Sequence, residues 1–458
     1  MAQSRYSGGV RKVTDEYSRN KTGARQSSIR SERPSRYIQP ASERTRIGSS
    51  RASSGNRGKT SKSYERKKDT VVKKNTVKSN TAAAAAKKSI LGKLSGVGEM
   101  DYTMLFLVIL IVAIGLIVML SASAPSGNRE EGNSYYYFTR QLIFIIMGFI
   151  GMFIVSRMDL NKLLPLIPKA FIICVILLVL VLLPGTGVEA KGARRWLNIP
   201  FFQPQPSEFM KPIIAMYIAY LVHIKLIDLK KLKSNMVCLG IIGLVALLLM
   251  LETHLSGTIV IVGIAGCVMI AGGTPIKPTL LIGAAMVVLL FIYLQFDPVR
   301  MQRITSFLDP FADAQGSGYQ ITQSIYAIGS GKLFGLGLGQ SVQKYSSLPE
   351  AYNDFIFSIV CEELGFFGGV IVILLFAALF LRAMKIALSA PDVWSSLTCI
   401  GIAAQLGIQT FLNMGVAVSL IPNTGVSLPF FSYGGTSIMT LLLEMGILLN
   451  VSRKSVKK

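Results

Sequence analysis

Thr103-Met-Leu-Phe-Leu-Val-Ile-Leu-Ile-Val-Ala-Ile-Gly-Leu-Ile-Val-Met-Leu120 runs for eighteen residues without a charge. A helix rises about 1.5 Å per residue, so a run of this length nearly covers the ~30 Å hydrocarbon core of a bilayer. Further apolar runs follow at 140–156, 165–183, 208–223, 236–251, 257–272, 277–296, 364–381, 395–418 and 434–451. With 51% hydrophobic and 16% charged residues among 458, and a mean hydropathy of +0.49, an ordinary soluble domain is excluded. The predicted fold class is all-α: a polytopic membrane protein of about ten transmembrane helices with a large extracytoplasmic loop over 297–353.

The charge sorts the chain into parts. Of the formal +24, residues 1–100 carry +17, from 24 Lys/Arg against 7 Asp/Glu. A Ser/Arg/Lys/Asn-rich segment with few apolar residues cannot bury enough surface to offset its ordering entropy, so 1–100 is expected to be a disordered basic tail. Beside a membrane span, such a tail is attracted to anionic inner-leaflet lipid rather than to nucleic acid. Residues 101–452 are then the membrane domain and 453–458 a short basic C-terminus. With both termini cytoplasmic, the inside segments carry 14 Lys/Arg in 50 residues and the outside segments 8 in 117, as the positive-inside rule requires. The first 30 residues lack the apolar core of a signal peptide, so the first span is expected to direct insertion. Five cysteines in apolar surroundings and two distant histidines give neither a disulfide framework nor a structural zinc site.

Two outer segments hold unusual chemistry. Lys191-Gly-Ala-Arg-Arg-Trp196 places three cations on a face where short loops are normally poor in positive charge; guanidinium groups grip phosphate oxygens, and Trp196 offers a flat face to a sugar. Arg194 and Arg195 equally suit headgroup snorkelling, and Trp196 suits a plain interfacial anchor. In Leu348-Pro-Glu-Ala-Tyr-Asn-Asp-Phe-Ile-Phe357, a helix beginning near Asn353 sets Asp354 outside the apolar slab, where a general base could meet a lipid-linked sugar; a helix-capping acid is the alternative. Glu362 and Glu363 at the edge of the same span need a partner, with Lys211 as a candidate. Glu208 and Lys211 share a helix face and can pair with each other, or line an intramembrane relay. Ser207 reads as the N-cap of its helix. His254, in the turn Glu252-Thr-His-Leu-Ser-Gly-Thr258, reads as interfacial. Gly329-Ser-Gly-Lys-Leu-Phe-Gly-Leu-Gly-Leu-Gly339 lacks the spacing and the Ser/Thr of a phosphate-binding loop, because Leu333 follows the lysine, and reads as a flexible or closely packed loop.

Several motifs in order resemble the SEDS family of bacterial wall synthesis: Arg140-Gln141, Gly192-Ala-Arg-Arg-Trp196, Gln205-Pro-Ser-Glu208, Pro349-Glu-Ala-Tyr-Asn-Asp-Phe-Ile-Phe357 with Glu362-Glu-Leu-Gly365, Ile421-Pro-Asn-Thr-Gly425, and Leu428-Pro-Phe-Phe-Ser-Tyr-Gly-Gly435. The Pro-Glu-Ala form and the basic extension look more like the division branch than the elongation or sporulation branches. The resemblance implies a peptidoglycan glycosyltransferase that polymerises lipid II into glycan strands at the outer face of the bacterial cytoplasmic membrane, at the septum. It places the essential aspartate at Asp354, the outer-loop motif at Arg194, Arg195 and Trp196, and the cavity pair at Glu208 and Lys211. It also implies a single-span class B penicillin-binding transpeptidase and other division proteins as partners. Thr253 departs from a usual proline, and Tyr352 from a frequent histidine.

The chemistry so implied has Asp354 accept the proton of an acceptor 4-hydroxyl that attacks the donor's anomeric carbon, inverting it. The departing lipid pyrophosphate is balanced by Arg194, Arg195 and Arg303, or by a divalent cation (Mg2+ or Mn2+). No organic cofactor is expected. The rival readings are a lipid II flippase, suggested by the intramembrane ionisable groups, and a non-catalytic scaffold of the wall-synthesis complex.

Overall fold

The computed structural model describes residues 98–190, 193–199, 203–277, 283, 301–302, 306–316, 318–346 and 348–455. The basic tail, most of the 277–296 run, Arg303 and part of the 297–353 loop lie outside these residues. Among the described residues, the helices are α1 (Tyr102–Glu131), α2 (Tyr136–Arg157), α3 (Ile167–Leu182), α4 (Pro206–His223), α5 (Leu232–Leu251), α6 (Leu255–Ala271), α7 (Tyr319–Ser330), α8 (Gln343–Ser346), α9 (Ile356–Leu388), α10 (Val393–Ala417) and α11 (Gly435–Lys454). Seven described segments are long and apolar enough to cross a membrane: α1, α2, the stretch Leu160–Leu182 ending in α3, α5, α9, α10 and α11. The chain is thus an all-α, multi-pass membrane protein. The expectation of ten spans is met only in part: α6 is a shorter apolar helix, and α4 carries a buried ion pair.

The bundle has a mostly apolar core, as a soluble protein has, but an apolar outside as well. Large apolar side chains of α2, α3, α5 and α9, among them Ile150, Ile172, Leu247 and Leu374, face outward, as hydrocarbon demands. Polar side chains such as Gln405, Gln409, Asn413, Glu444 and Asn450 are buried on α10 and α11. Helix α10 packs on α4, α6 and α9, while α11 packs chiefly on α2.

Two departures from the predicted elements matter for the site. The 185–206 segment folds an antiparallel β-hairpin, β1 (Gly187–Ala190) against β2 (Ala193–Leu197), with a register shift between Val188 and Glu189. Helix α9 starts at Ile356 rather than near Asn353, and kinks at Gly365, whose φ of 71° and ψ of −169° suit only glycine. Into that kink packs the glycine-rich loop: the Leu336 and Gly337 N–H groups donate to the Glu362 and Glu363 carbonyls (3.0 Å each), and the Phe366 N–H donates to Lys332 O (2.9 Å). Of the two readings of that loop, close packing is the one the structure shows.

The described ends of the chain meet at one end of the bundle. Gly98 N donates to Arg453 O (2.7 Å), Asp101 pairs with Arg382 (2.7 Å), and Ser455 Oγ donates to Ser389 O (2.8 Å). The opposite end carries the hairpin and the turn containing Asp354.

Candidate functional site

Asp354 lies in the turn leading into α9, and its side chain is half-buried. Phe355 is the helix N-cap and makes no side-chain capping bond. The reading of Asp354 as a helix-capping acid is therefore overturned, because the helix begins two residues later. The turn is tight and strained: Glu350 has φ of 57°, the Asn353 and Asp354 N–H groups both donate to Glu350 O (3.0 and 3.2 Å), and Asn353 Nδ2 donates to the Glu350 carboxylate (2.7 Å). A non-glycine residue in the left-handed region persists only where its surroundings fix it.

Those surroundings are the 418–434 loop and the ends of α2 and α10. Asn413 Nδ2 donates to the main-chain carbonyls of Asp354 and Val426, at 2.8 Å each. Ser432 Oγ donates to Asn353 O (2.6 Å) and accepts from Leu428 N (2.8 Å). Gln141 grips the loop from α2, its Nε2 donating to Ser432 O (3.3 Å) and its Oε1 accepting from Gly434 N (3.1 Å). Gly425, with φ of 65°, lies against the Asp354 carboxylate; a Cβ there would stand 3.2 Å from Oδ2. Tyr352 stacks on Tyr137 (4.8 Å between ring centres), and the Tyr433 ring meets Tyr137 edge-on at 5.0 Å. Burial pushes the Tyr352 phenol up to about 12, so at neutral pH it stays protonated and cannot take the role of a histidine base.

The cationic hairpin adjoins this loop through the α5–α6 turn. Arg195 donates to Thr253 O (2.7 Å), and Ser256 Oγ, three residues on, donates to Thr424 O beside Gly425. Arg194 is exposed and pairs across the strands with Glu189 (3.1 Å); Trp196 is half-buried, paired with Val188 in the ladder.

A second polar group lies within the bundle. Lys211 pairs with Glu208 at 2.6 Å, both side chains less than a tenth exposed. The Glu444 carboxylate accepts from Gln405 Nε2 (3.0 Å), and Gln205 Nε2 meets His254 Nε2 at 3.2 Å. His254, at the N-cap of α6, is 7% exposed, and burial, with Arg195 and Lys211 nearby, drives its pKa well below the usual value. Glu252 is 1% exposed, and among the described residues neither of its carboxylate oxygens has a hydrogen-bond partner. Burial raises it to about 8 against the opposing pull of Arg195.

Other expectations are corrected. The partner of Glu363 is Lys344 (2.7 Å), not Lys211, and Ser121 Oγ donates to the same carboxylate oxygen (2.6 Å). Glu362 accepts from the Val342 and Gln343 N–H groups (2.9 and 3.3 Å) and from Ser341 Oγ. Gln205 caps α4, with Pro206 in its first turn, so Ser207 lies inside the helix. Among the described residues, no three His, Cys, Asp or Glu side chains converge as metal ligands. Sequence reading overlooked Asn413 and Lys344, which act across gaps of 59 and 19 residues; a polar residue near the end of an otherwise apolar run was the available signal for Asn413.

Comparison with known proteins accords with this arrangement. The FtsW/RodA/SpoVE family, described as "Cell cycle protein", matches residues 101–457. The chain is 40% identical over 356 residues to stage V sporulation protein E of Bacillus subtilis, covering 78% of this chain and 97% of that one. It is 37% identical over 366 residues to a protein of Trichlorobacter lovleyi named "Probable peptidoglycan glycosyltransferase FtsW", covering 79% and 96%. Among solved structures, a chain from a peptidoglycan synthase complex described as coordinating polymerisation and crosslinking superposes with a TM-score of 0.67 at 28% identity, covering 79% of this chain and 99% of that one. The rod shape determining protein RodA of Thermus thermophilus gives 0.59 at 27%, with the same coverage. With the family pattern spanning the whole described bundle and its motifs gathered at one end, the chain belongs to the FtsW/RodA/SpoVE family of cell cycle proteins.

Proposed function

We infer that this protein is a peptidoglycan glycosyltransferase that polymerises lipid II, with Asp354 as general base. The observation that carries the reading is a half-buried carboxylate held in a strained turn between α9 and the 418–434 loop, at the bundle end that also bears the cationic hairpin. In the reaction, the acceptor 4-hydroxyl attacks C1 of the donor sugar and its proton passes to Asp354. The C1–O bond to the pyrophosphate breaks, and undecaprenyl pyrophosphate leaves with the electron pair. One displacement inverts the anomeric centre, and because the pyrophosphate leaves as a stabilised anion that needs no general acid, a single carboxylate suffices.

Arg194 and Arg195, on the hairpin, are assigned to the departing pyrophosphate, and Trp196 to the sugar. Arg303 has the same expected role but lies outside the described residues. Glu208 and Lys211 are assigned to the wall of the substrate cavity. The site end faces outward and both termini face the cytoplasm, in keeping with the Lys/Arg distribution. Anionic inner-leaflet lipid is the assigned partner of the basic tail. A class B penicillin-binding transpeptidase at the septum is the proposed partner, supported by the likeness to a complex that couples polymerisation with crosslinking. Purified protein should convert lipid II to glycan strands, whereas Asp354→Asn should not. The buried group around Glu208, Lys211, Glu252 and Glu444 favours one second reading, a lipid II flippase; lipid flux through proteoliposomes without polymer would support it.

A further inference from the structure

The hydrogen bonds from Asn413 have no part in the chemistry above, yet they reach its centre. Asn413 stands in the last turns of α10 and is 1% exposed. Both of its main-chain acceptors come from segments that otherwise lack regular structure: Asp354 in the turn before α9, and Val426 in the loop after α10. One amide group therefore joins the backbone beneath the carboxylate to the backbone against which that carboxylate lies.

The rest of the seat is built to match. Gly425, the residue before Val426, leaves room that a Cβ would fill at 3.2 Å from Asp354 Oδ2. The Asp354 N–H is held by Glu350 O at 3.2 Å, so the peptide groups on both sides of its Cα are fixed, one by the strained turn and one by α10. Helix α10 is the natural reference, because it packs against α4, α6 and α9 at once.

We propose that Asn413 is the positioning residue for Asp354: its side-chain amide sets the distance between the carboxylate and the Asn423–Val426 segment, and so the aim of the base at the acceptor hydroxyl. The proposal rests on the reading of Asp354 as general base. A displacement of about 1 Å in a reacting group can cost on the order of 100-fold in rate. A residue this deeply buried has no surface for the lipid substrate, so its loss falls on kcat and not on KM.

The test uses the full-length protein in lipid nanodiscs with lipid II as substrate. Asn413→Leu has similar size and no N–H donor; Asn413→Ser, a milder change, cannot span both carbonyls and serves if the leucine variant fails to fold. Either variant should lower kcat by roughly 10- to 100-fold with KM within about twofold of the parent. Paired with Asp354→Glu, the loss should be non-additive by about fivefold or more, because a loosened turn accommodates the longer acid; a purely structural role would leave the two losses multiplicative. Parental kcat in a folded variant, a rise in KM alone, or strictly multiplicative losses would each overturn the proposal. Asp354→Asn in the same assay separates the two levels. If that variant polymerises normally, the general-base reading fails; if it is inactive while Asn413→Leu runs at the parental rate, only the positioning role fails.

Discussion

Glu252 is a buried carboxyl with no hydrogen bond to either oxygen among the described residues. Its folded pKa, about 8, lies above the unfolded value near 4.5, so the fold binds a proton that the unfolded chain releases. Stability contributed by the neutral form is complete below about pH 4.5 and is lost as pH rises toward 8. Glu252→Gln should flatten that dependence and raise the thermal midpoint at pH 8 relative to the parent, measured by nanoscale fluorimetry between pH 5 and 8. An unchanged pH slope would contradict the assignment. Gly425 makes a complementary prediction beside the Asp354 turn. Gly425→Ala imposes a side chain at positive φ and crowds Asp354 Oδ2, so polymerisation should fall by roughly tenfold or more while lipid II binding is retained.

Among elements, α9 and the loop packed into its kink are joined by main-chain hydrogen bonds and a buried ion pair. The Lys344–Glu363 pair is nearly dry, at 3% and 1% exposure, and Ser121 of α1 bonds both partners. Removing one member leaves an uncompensated buried charge, which costs about 3–5 kcal/mol. Lys344→Met should therefore lower the unfolding midpoint sharply, and adding Glu363→Gln should recover much of the loss. The Gly-rich segment that packs here has the composition of a flexible phosphate loop, and the sequence excluded that role through Leu333. What it could not supply was the partner, since Lys344 reaches Glu363 only because the 331–346 loop folds back onto α9. The hairpin was illegible for a similar reason. Its two strands, of four and five residues, are too short to show a convincing alternation, and Arg194-Arg195 breaks it. The two arginines themselves were legible nonetheless, because adjacent guanidinium groups are anomalous in a short loop between apolar runs.

At the scale of the whole molecule, hydropathy made the class of fold readable: apolar runs of helical length have few solutions other than a bundle in lipid. The 208–223 run forms α4 even though its buried Glu208–Lys211 pair lowers its hydropathy, and the apolar run 364–381 lies within the 33 residues of α9. Asp354 was legible as a carboxylate near a helix start, but its seat was not, because Asn413, Ser432 and Gln141 reach it from helices and loops far away in sequence. The two ends of the bundle differ, with the described ends of the chain tied together at one and the strained acidic turn at the other. Removal of residues 1–97 should accordingly leave polymerisation by the purified protein unchanged while weakening its retention on anionic vesicles. The central claim is tested most directly by incubating purified parent and Asp354→Asn protein with labelled lipid II and resolving the products by gel. A ladder of glycan strands is expected from the parent and unreacted lipid from the variant; strands of equal yield from both would refute Asp354 as the general base.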